Sequence, residues 1–456
     1  MEDKSLQFIE RFQEFPTCRP LSSWEQQVWL CDQVSPTHFA VTAQIKGEFS
    51  VEQLKQALAQ LQQRHPLLRV RIALDEVQQP WFVENTAKIP LRVLLREGEQ
   101  HWEREVEREL SEPFVWSQAP LVRVVLLHST DISELIVTCH HSIADGMSSW
   151  FLIRDIFQIL ATDETFFQPL SAIPTVDSLI LRKVDQTNIP LQTTSDNPSL
   201  LNQGSGGKAL VSPQPKFLSS TGAGTPLSHI RHRVRSANIT PETTKLLASC
   251  CHQEQTTVHG AICAAFLLAI AKRMPLGQNP SEQLTNLNCF SAINIRQYLM
   301  PAVGEDVGYY VNGKQTRHSL SPNATLWEVA HSVKQQLKQE MVPEKIFSEI
   351  LYSQESMATN PSVKSVQQGI VEYFEPGLAV SNMGCLKLPQ QLEPLQLEAI
   401  YGPVGITPWE NKAVVGAATV RDQLFLTLAW PDYTMSTVDA EKLLQEAIHL
   451  LNTAIK

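Results

Sequence analysis

Residues 134–161 read ELIVTCHHSIADGMSSWFLIRDIFQILA, and this stretch restricts the fold more than any other. Its first eight residues include an unbroken apolar run rich in β-branched side chains, the pattern of a strand covered on both faces. After a sharp turn at Asp145–Gly146, the residues from Met147 onward repeat with helical spacing. A strand buried on both sides and followed at once by an apolar helix requires layers of helix against sheet.

The rest of the chain keeps that rhythm. Segments 40–49, 67–72 and 121–128 read as strands, and 50–66, with a serine N-cap and Val51, Leu54, Leu58 and Leu61 in helical register, as a helix. A charged helix is expected at 99–113, and a short one near Trp24 within LSSWEQQVWL (21–30). Later come a strand at 229–239, a Thr240-capped helix and an almost wholly apolar helix at 256–274. Beyond these, 324–342 is amphipathic and the chain closes on another helix. The fold class expected is α/β (α+β). Between the halves, 186–228 is rich in Ser, Thr, Gly, Pro and Gln without periodicity, as in a linker. The expected organisation is a first lobe at 1–185, a linker or crossover loop at 186–228 and a second lobe at 229–456.

Composition excludes several functions. The 456 residues carry 37 basic against 47 acidic side chains, a net charge of −10, which argues against bulk nucleic-acid binding. The eight cysteines include no C-x-x-C pair and read as reduced thiols. The acidic amphipathic start, MEDKSLQFIERFQEF, lacks the plan of a signal peptide. The apolar stretch 258–271 is shorter than the about 20 residues that span a bilayer. A cytoplasmic protein without a transmembrane segment, and a monomer, is expected. NQGSGGK (202–208) has Asn202 where a phosphate loop needs glycine, and no strand precedes it. Arg231, Arg233 and Arg235 alternate onto one side of their strand, as either a solvated face or a docking face for an acidic carrier protein.

The histidine pair admits three readings. A metal site is disfavoured, because neighbours on a strand point to opposite faces and no further ligand pattern accompanies them. No metal is therefore assigned. His140 reads as a buried structural histidine. His141, at a strand end facing a turn, is either structural as well or a general base, since an imidazole titrates near neutral pH. Asp145 can orient a histidine, cap the helix beginning at Met147 or pair with a distant arginine. Gly146 would allow the turn a backbone conformation denied to other residues.

HHSIADG resembles the H-H-x-x-x-D-G motif of the CoA- and carrier-protein-dependent acyltransferase superfamily, which includes peptide-synthetase condensation domains and polyketide-associated acyltransferases. LSSWEQQVWL is similar to the family's opening segment, and RHPLLRVRI (64–72) and EPFVWSQAPLVRVVLL (112–127) to the strands before the motif. VGYYVNGKQTR (307–317) resembles the I-G-x-F-V-N segment of condensation domains, and VSNMG (380–384) the S-N-x-G strand of the polyketide-associated and wax-ester branches.

The resemblance implies two chloramphenicol-acetyltransferase-like lobes with a substrate tunnel between them. It implies His141 as general base, His140 as structural, Asp145 in an ion pair with Arg296, Gly146 at the turn, and Ser381 and Asn382 beside the substrate. No Y-x-D-Y-A-x-W or R-D-x-S-R-N-P-L segment is present, and no adenylation or carrier segment follows. The expectation is therefore a free-standing acyltransferase that makes esters from a CoA or acyl-carrier-protein thioester, with no cofactor. The partners expected are the thioester, an alcohol or amine acceptor, and an acyl or peptidyl carrier protein. Two alternatives stand beside it: an amide-forming condensation enzyme acting on carrier-bound substrates, and a non-catalytic binding relative.

Overall fold

The computed structural model describes residues 18–162, 168–171, 174–179, 231–274, 284–373, 377–388, 394–405 and 413–456. The linker expected at 186–228 lies outside the described residues. The first half supplies β1 (Cys18–Pro20), α1 (Ser23–Asp32), β2 (Phe39–Lys46), α2 (Val51–Arg64), β3 (Val70–Leu74), β4 (Pro80–Glu84), β5 (Leu91–Leu95), α3 (His101–Ser111), β6 (Val122–His128), β7 (Ile132–Cys139) and α4 (Gly146–Thr162). The second supplies β8 (His232–Ile239), α5 (Pro241–Gln253), α6 (Val258–Ala271), β9 (Thr285–Asn294), β10 (Val311–Leu320), α7 (Leu326–Glu340), α8 (Pro343–Ala358) and α9 (Val363–Tyr373). It ends with β11 (Leu378–Cys385), β12 (Gln396–Gly405), β13 (Ala413–Val420), β14 (Gln423–Pro431) and α10 (Thr437–Ala454).

Local sequence explains several of these boundaries. Ser22 with Glu25, Ser50 with Gln53, and Thr325 with Glu328 form reciprocal capping boxes that start α1, α2 and α7. The strand expected from Leu67 begins only at Val70. Pro66 instead opens a 3₁₀ turn over Pro66–Arg69, where its fixed φ and missing N–H suit a first helical position. In α6, apolar all round, every residue from Gly260 to Ile270 is buried, and the helix packs between α7 and α10.

The strands form three sheets. A five-stranded sheet runs β12–β2–β7–β6–β5, a six-stranded sheet β10–β9–β11–β13–β14–β8, and a small one β1–β4–β3. In the five-stranded sheet β7 lies between β2 and β6, so both its edges are paired and its residues from Ser133 to Cys139 are buried. Each large sheet has its own core.

Sheet membership does not follow the two halves of the chain. β12, from the second half, pairs antiparallel with β2 (Ala43 opposite Ile400) and closes an edge that β2 would otherwise expose. At the far edge of the other sheet, α3 covers β8. The Glu107 carboxylate accepts the Val234 N–H (3.0 Å), and that of Glu103 accepts the Ser236 N–H (2.9 Å). Arg233 pairs with Glu107 at 3.0 Å and Arg235 with Glu441 at 3.0 Å. Arg233 and Arg235 thus make ion pairs within the molecule, while the Arg233 side chain keeps 40% of its exposure to solvent. No single helix among the described residues is long and apolar enough to cross a membrane.

Candidate active site

β7 ends at Cys139, and the chain enters its turn with the His140 N–H donated to the Leu121 carbonyl at 3.0 Å. The His140 ring is fully buried. Its Nδ1 accepts the Ser142 N–H (3.1 Å) and lies 2.7 Å from Ser142 Oγ. An accepting Nδ1 puts the ring proton on Nε2, which lies 3.2 Å from the Asp32 carboxylate, close but outside in-line hydrogen-bond geometry. Asp32 is the last residue of α1 and also accepts the Thr37 N–H at 2.8 Å. Burial alone would raise the Asp32 pKa, but the contacts from His140 and Thr37 outweigh it and hold the acid below its ordinary value.

His141 turns the other way. Its Nδ1 lies 3.1 Å from the Ala144 carbonyl, which can only accept, so Nδ1 carries the proton and the Nε2 lone pair is left open. The ring stacks on Phe39 (4.3 Å between centroids, 27°) and meets the edge of Tyr309 at 5.7 Å. Although the residue is partly exposed, most of the ring is enclosed by protein. That loss of hydration pushes its pKa down to about 4, against smaller opposing effects of the Ala144 carbonyl and Asp145. At neutral pH the imidazole is uncharged.

Asp145 turns its carboxylate away from both histidines. It accepts the Ser148 N–H (2.8 Å) as the N-cap of α4, and the Tyr310 N–H (2.9 Å) from the second half. Arg296, in the 3₁₀ turn after β9, donates to it from Nη1 at 2.8 Å and Nη2 at 3.1 Å. Burial disfavours the Asp145 anion, but Arg296 outweighs that effect and its pKa stays below the usual range. The Arg296 guanidinium also reaches Ser148 Oγ (2.9 Å) and lies over the Tyr310 ring. Of the readings open in the sequence, Asp145 thus combines two, helix cap and arginine partner.

Gly146 needs a different explanation from the one its sequence suggested. Its φ is not positive. A Cβ there would lie 2.9 Å from Pro403 Cγ and 3.7 Å from Met383 Cγ, so the glycine permits close approach of β11 and β12 to the start of α4. Ser381 and Asn382 lie on β11, where Ser381 is opposite Ala292 and Gly416. The Asn382 side-chain oxygen accepts the Gly384 N–H (2.8 Å), and it is Met383 that comes against the motif.

Sequence reasoning missed Asp32, Phe39, Ser148 and Tyr309. Only Tyr309 carried a signal, as part of the VGYYVNG segment. Among the described residues, no group of three or more His, Cys, Asp or Glu could hold a metal ion. All eight cysteines are free thiols.

Known proteins share both the sequence pattern and the fold. Residues 17–166 match the Condensation domain family, and residues 228–441 the C-terminal region of phthiocerol/phthiodiolone dimycocerosyl transferase. Among curated proteins, the chain is 26% identical to a chondramide synthase of Chondromyces crocatus over 304 residues, covering 62% of this chain and 7% of that protein. It is 29% identical over 150 residues to tyrocidine synthase 3 of Brevibacillus parabrevis, covering 32% of this chain and 2% of that one. The chain thus spans less than a tenth of these relatives' lengths. The fold is that of polyketide synthase associated protein 5 from Mycobacterium tuberculosis (TM-score 0.63, 15% identity, 96% and 98% of the two chains). It is also that of a trichothecene 15-O-acetyltransferase from Fusarium sporotrichioides (TM-score 0.68, 12% identity, 96% of each chain).

Proposed function

The chain belongs to the acyltransferase superfamily of condensation domains and polyketide-associated acyltransferases, and we propose that it passes an acyl group from a CoA or carrier-protein thioester directly to an alcohol, forming an ester. The observation that carries this reading is the state of His141. It is a neutral imidazole, its Nδ1 proton held on the Ala144 carbonyl, with Nε2 open as a base.

In the proposed step, His141 Nε2 takes the acceptor's hydroxyl proton as the oxygen attacks the thioester carbonyl. The carbon–sulfur bond then breaks, and the departing thiolate takes the proton back from the imidazolium. A positioned base of this kind contributes about 10² to 10⁴ in rate, and alignment of donor and acceptor in a tunnel between the lobes adds more. Asp145 and Arg296 hold the turn and take no proton. The thioester is itself the activated substrate, so the step uses no cofactor.

The choice of oxygen rests on the second-half match to a dimycocerosyl transferase region and on the two condensation-domain segments missing from the sequence. The alternative, amide formation on carrier-bound substrates, is favoured by the Condensation match over the half that carries His141. Mass spectrometry of products from acyl thioesters offered with mixed alcohols and amines separates them. Esters are expected, whereas amides formed much faster would select the alternative.

A further inference from the structure

We propose that Asp32 is a positioning residue that supplies the counter-charge for the imidazolium formed at His141, acting across His140. The inference rests on the reading of His141 as the base. When His141 accepts a proton it becomes a cation in surroundings that already disfavour charge. Two carboxylates lie near it. That of Asp145 is matched by Arg296 in a two-point pair.

The Asp32 carboxylate has no lysine or arginine partner among the described residues, although its side chain is only 4% exposed. The groups facing it are His140, His38 and Thr37. The His140 Nδ1 accepts the Ser142 N–H, which leaves its Nε2–H toward Asp32. His38 is buried, and loss of hydration pushes its pKa down to about 3, so it is neutral. The one arginine near His38, Arg123, is held by Glu109. Facing His141 itself are His140 and Asp145 of its own turn, Asp32, and Tyr309 of the second lobe. Burial raises the Tyr309 phenol, which therefore stays uncharged.

Among these groups, Asp32 is the anion without a lysine or arginine partner. His140 sits between it and the base, its Nε2–H toward Asp32 and its Nδ1 on the turn that carries His141. This arrangement favours the protonated state of His141 by fixed charge, without proton movement along the row.

The test is a set of variants at position 32, with His141→Ala as control. Asp32→Asn keeps the shape and an acceptor for the Thr37 N–H but removes the charge. It is expected to lower kcat about tenfold, the effect of about one unit in the pKa of the base, with KM unchanged. The acid side of its kcat–pH profile moves to lower pH. Asp32→Glu retains the charge in a bulkier side chain and should recover most of kcat. Asp32→Ser gives the same reading as Asn should that variant be insoluble. A purely structural residue would give the opposite order, with Glu at least as impaired as Asn and the pH profile unmoved. Either that order, an unmoved profile, or wild-type kcat in the Asn variant overturns the proposal. Near-normal activity of His141→Ala would instead show that the base has been misassigned.

Discussion

Arg296 lies 2.8 Å from Asp145, although the two are 151 positions apart in the sequence. Asp145 begins a helix of the first half, and Arg296 follows a strand of the second. The two side chains are 3% and 5% exposed. The pair therefore fixes the motif's turn and joins the two lobes at the same point.

Breaking this pair on one side is expected to cost about 3–5 kcal/mol, because the remaining charge stays buried without a partner. Asp145→Ala and Arg296→Ala should each show that loss in urea denaturation. The double variant should lose less than the sum of the two, as directly contacting residues do. An Asp145→Ala protein as stable as wild type would remove the structural role.

His141→Ala should lower kcat by at least about a hundredfold while leaving the unfolding midpoint within a few degrees of wild type. The residue is partly exposed and its ring makes one hydrogen bond, to the Ala144 carbonyl, so its loss alters chemistry more than folding. Steady-state kinetics beside a thermal melt measures both.

Gly146→Ala should destabilise the protein by about 1–3 kcal/mol through overpacking, because the new methyl group meets Pro403 Cγ at 2.9 Å. The expected signature is a lower unfolding midpoint, partly recovered by Pro403→Ala. No recovery in the double variant would place the strain elsewhere.

Stability should fall as pH drops from 7.5 to 5. Burial pushes His141, His232, His259 and His318 down to about 4, and His38 to about 3. Between those values and 6.5 the unfolded chain binds more protons than the folded one, so unfolding free energy rises with pH and levels off above 6.5. Burial raises Glu103, Glu134, Asp177 and Asp306, which works in the opposite direction. With five histidines against four carboxylates whose partners limit their shifts, a net loss of at least about 2 kcal/mol is expected at pH 5, one histidine's share. Urea denaturation at the two pH values measures it, and equal stability would contradict the burial of neutral histidines.

Incubation with an acyl thioester alone should leave the protein at its unmodified intact mass, since the base has no paired nucleophile and the acyl group moves straight to the acceptor. A stable adduct able to transfer its group onward would falsify direct transfer.

The sequence by itself determined the strand–turn–helix at 134–161, the caps of α2 and α5, and the buried α6. Each depends on neighbours a few residues apart, through periodicity or a side chain reaching its own backbone. The family resemblance added Arg296 as the partner of Asp145, and the two side chains meet. Tertiary structure alone decided what depends on distant segments. β12 leaves its half of the chain to complete the sheet of the other, because β2 has an open edge. Arg233 and Arg235 are claimed by α3 and α10. Gly146 is a glycine because Pro403, 257 positions later in the sequence, packs against it, not because its own backbone is unusual. Asp32 reaches His140 for the same reason. Nothing local to α1 marks that carboxylate, and only the tertiary approach of the end of α1 to the turn after β7 gives it a histidine to face.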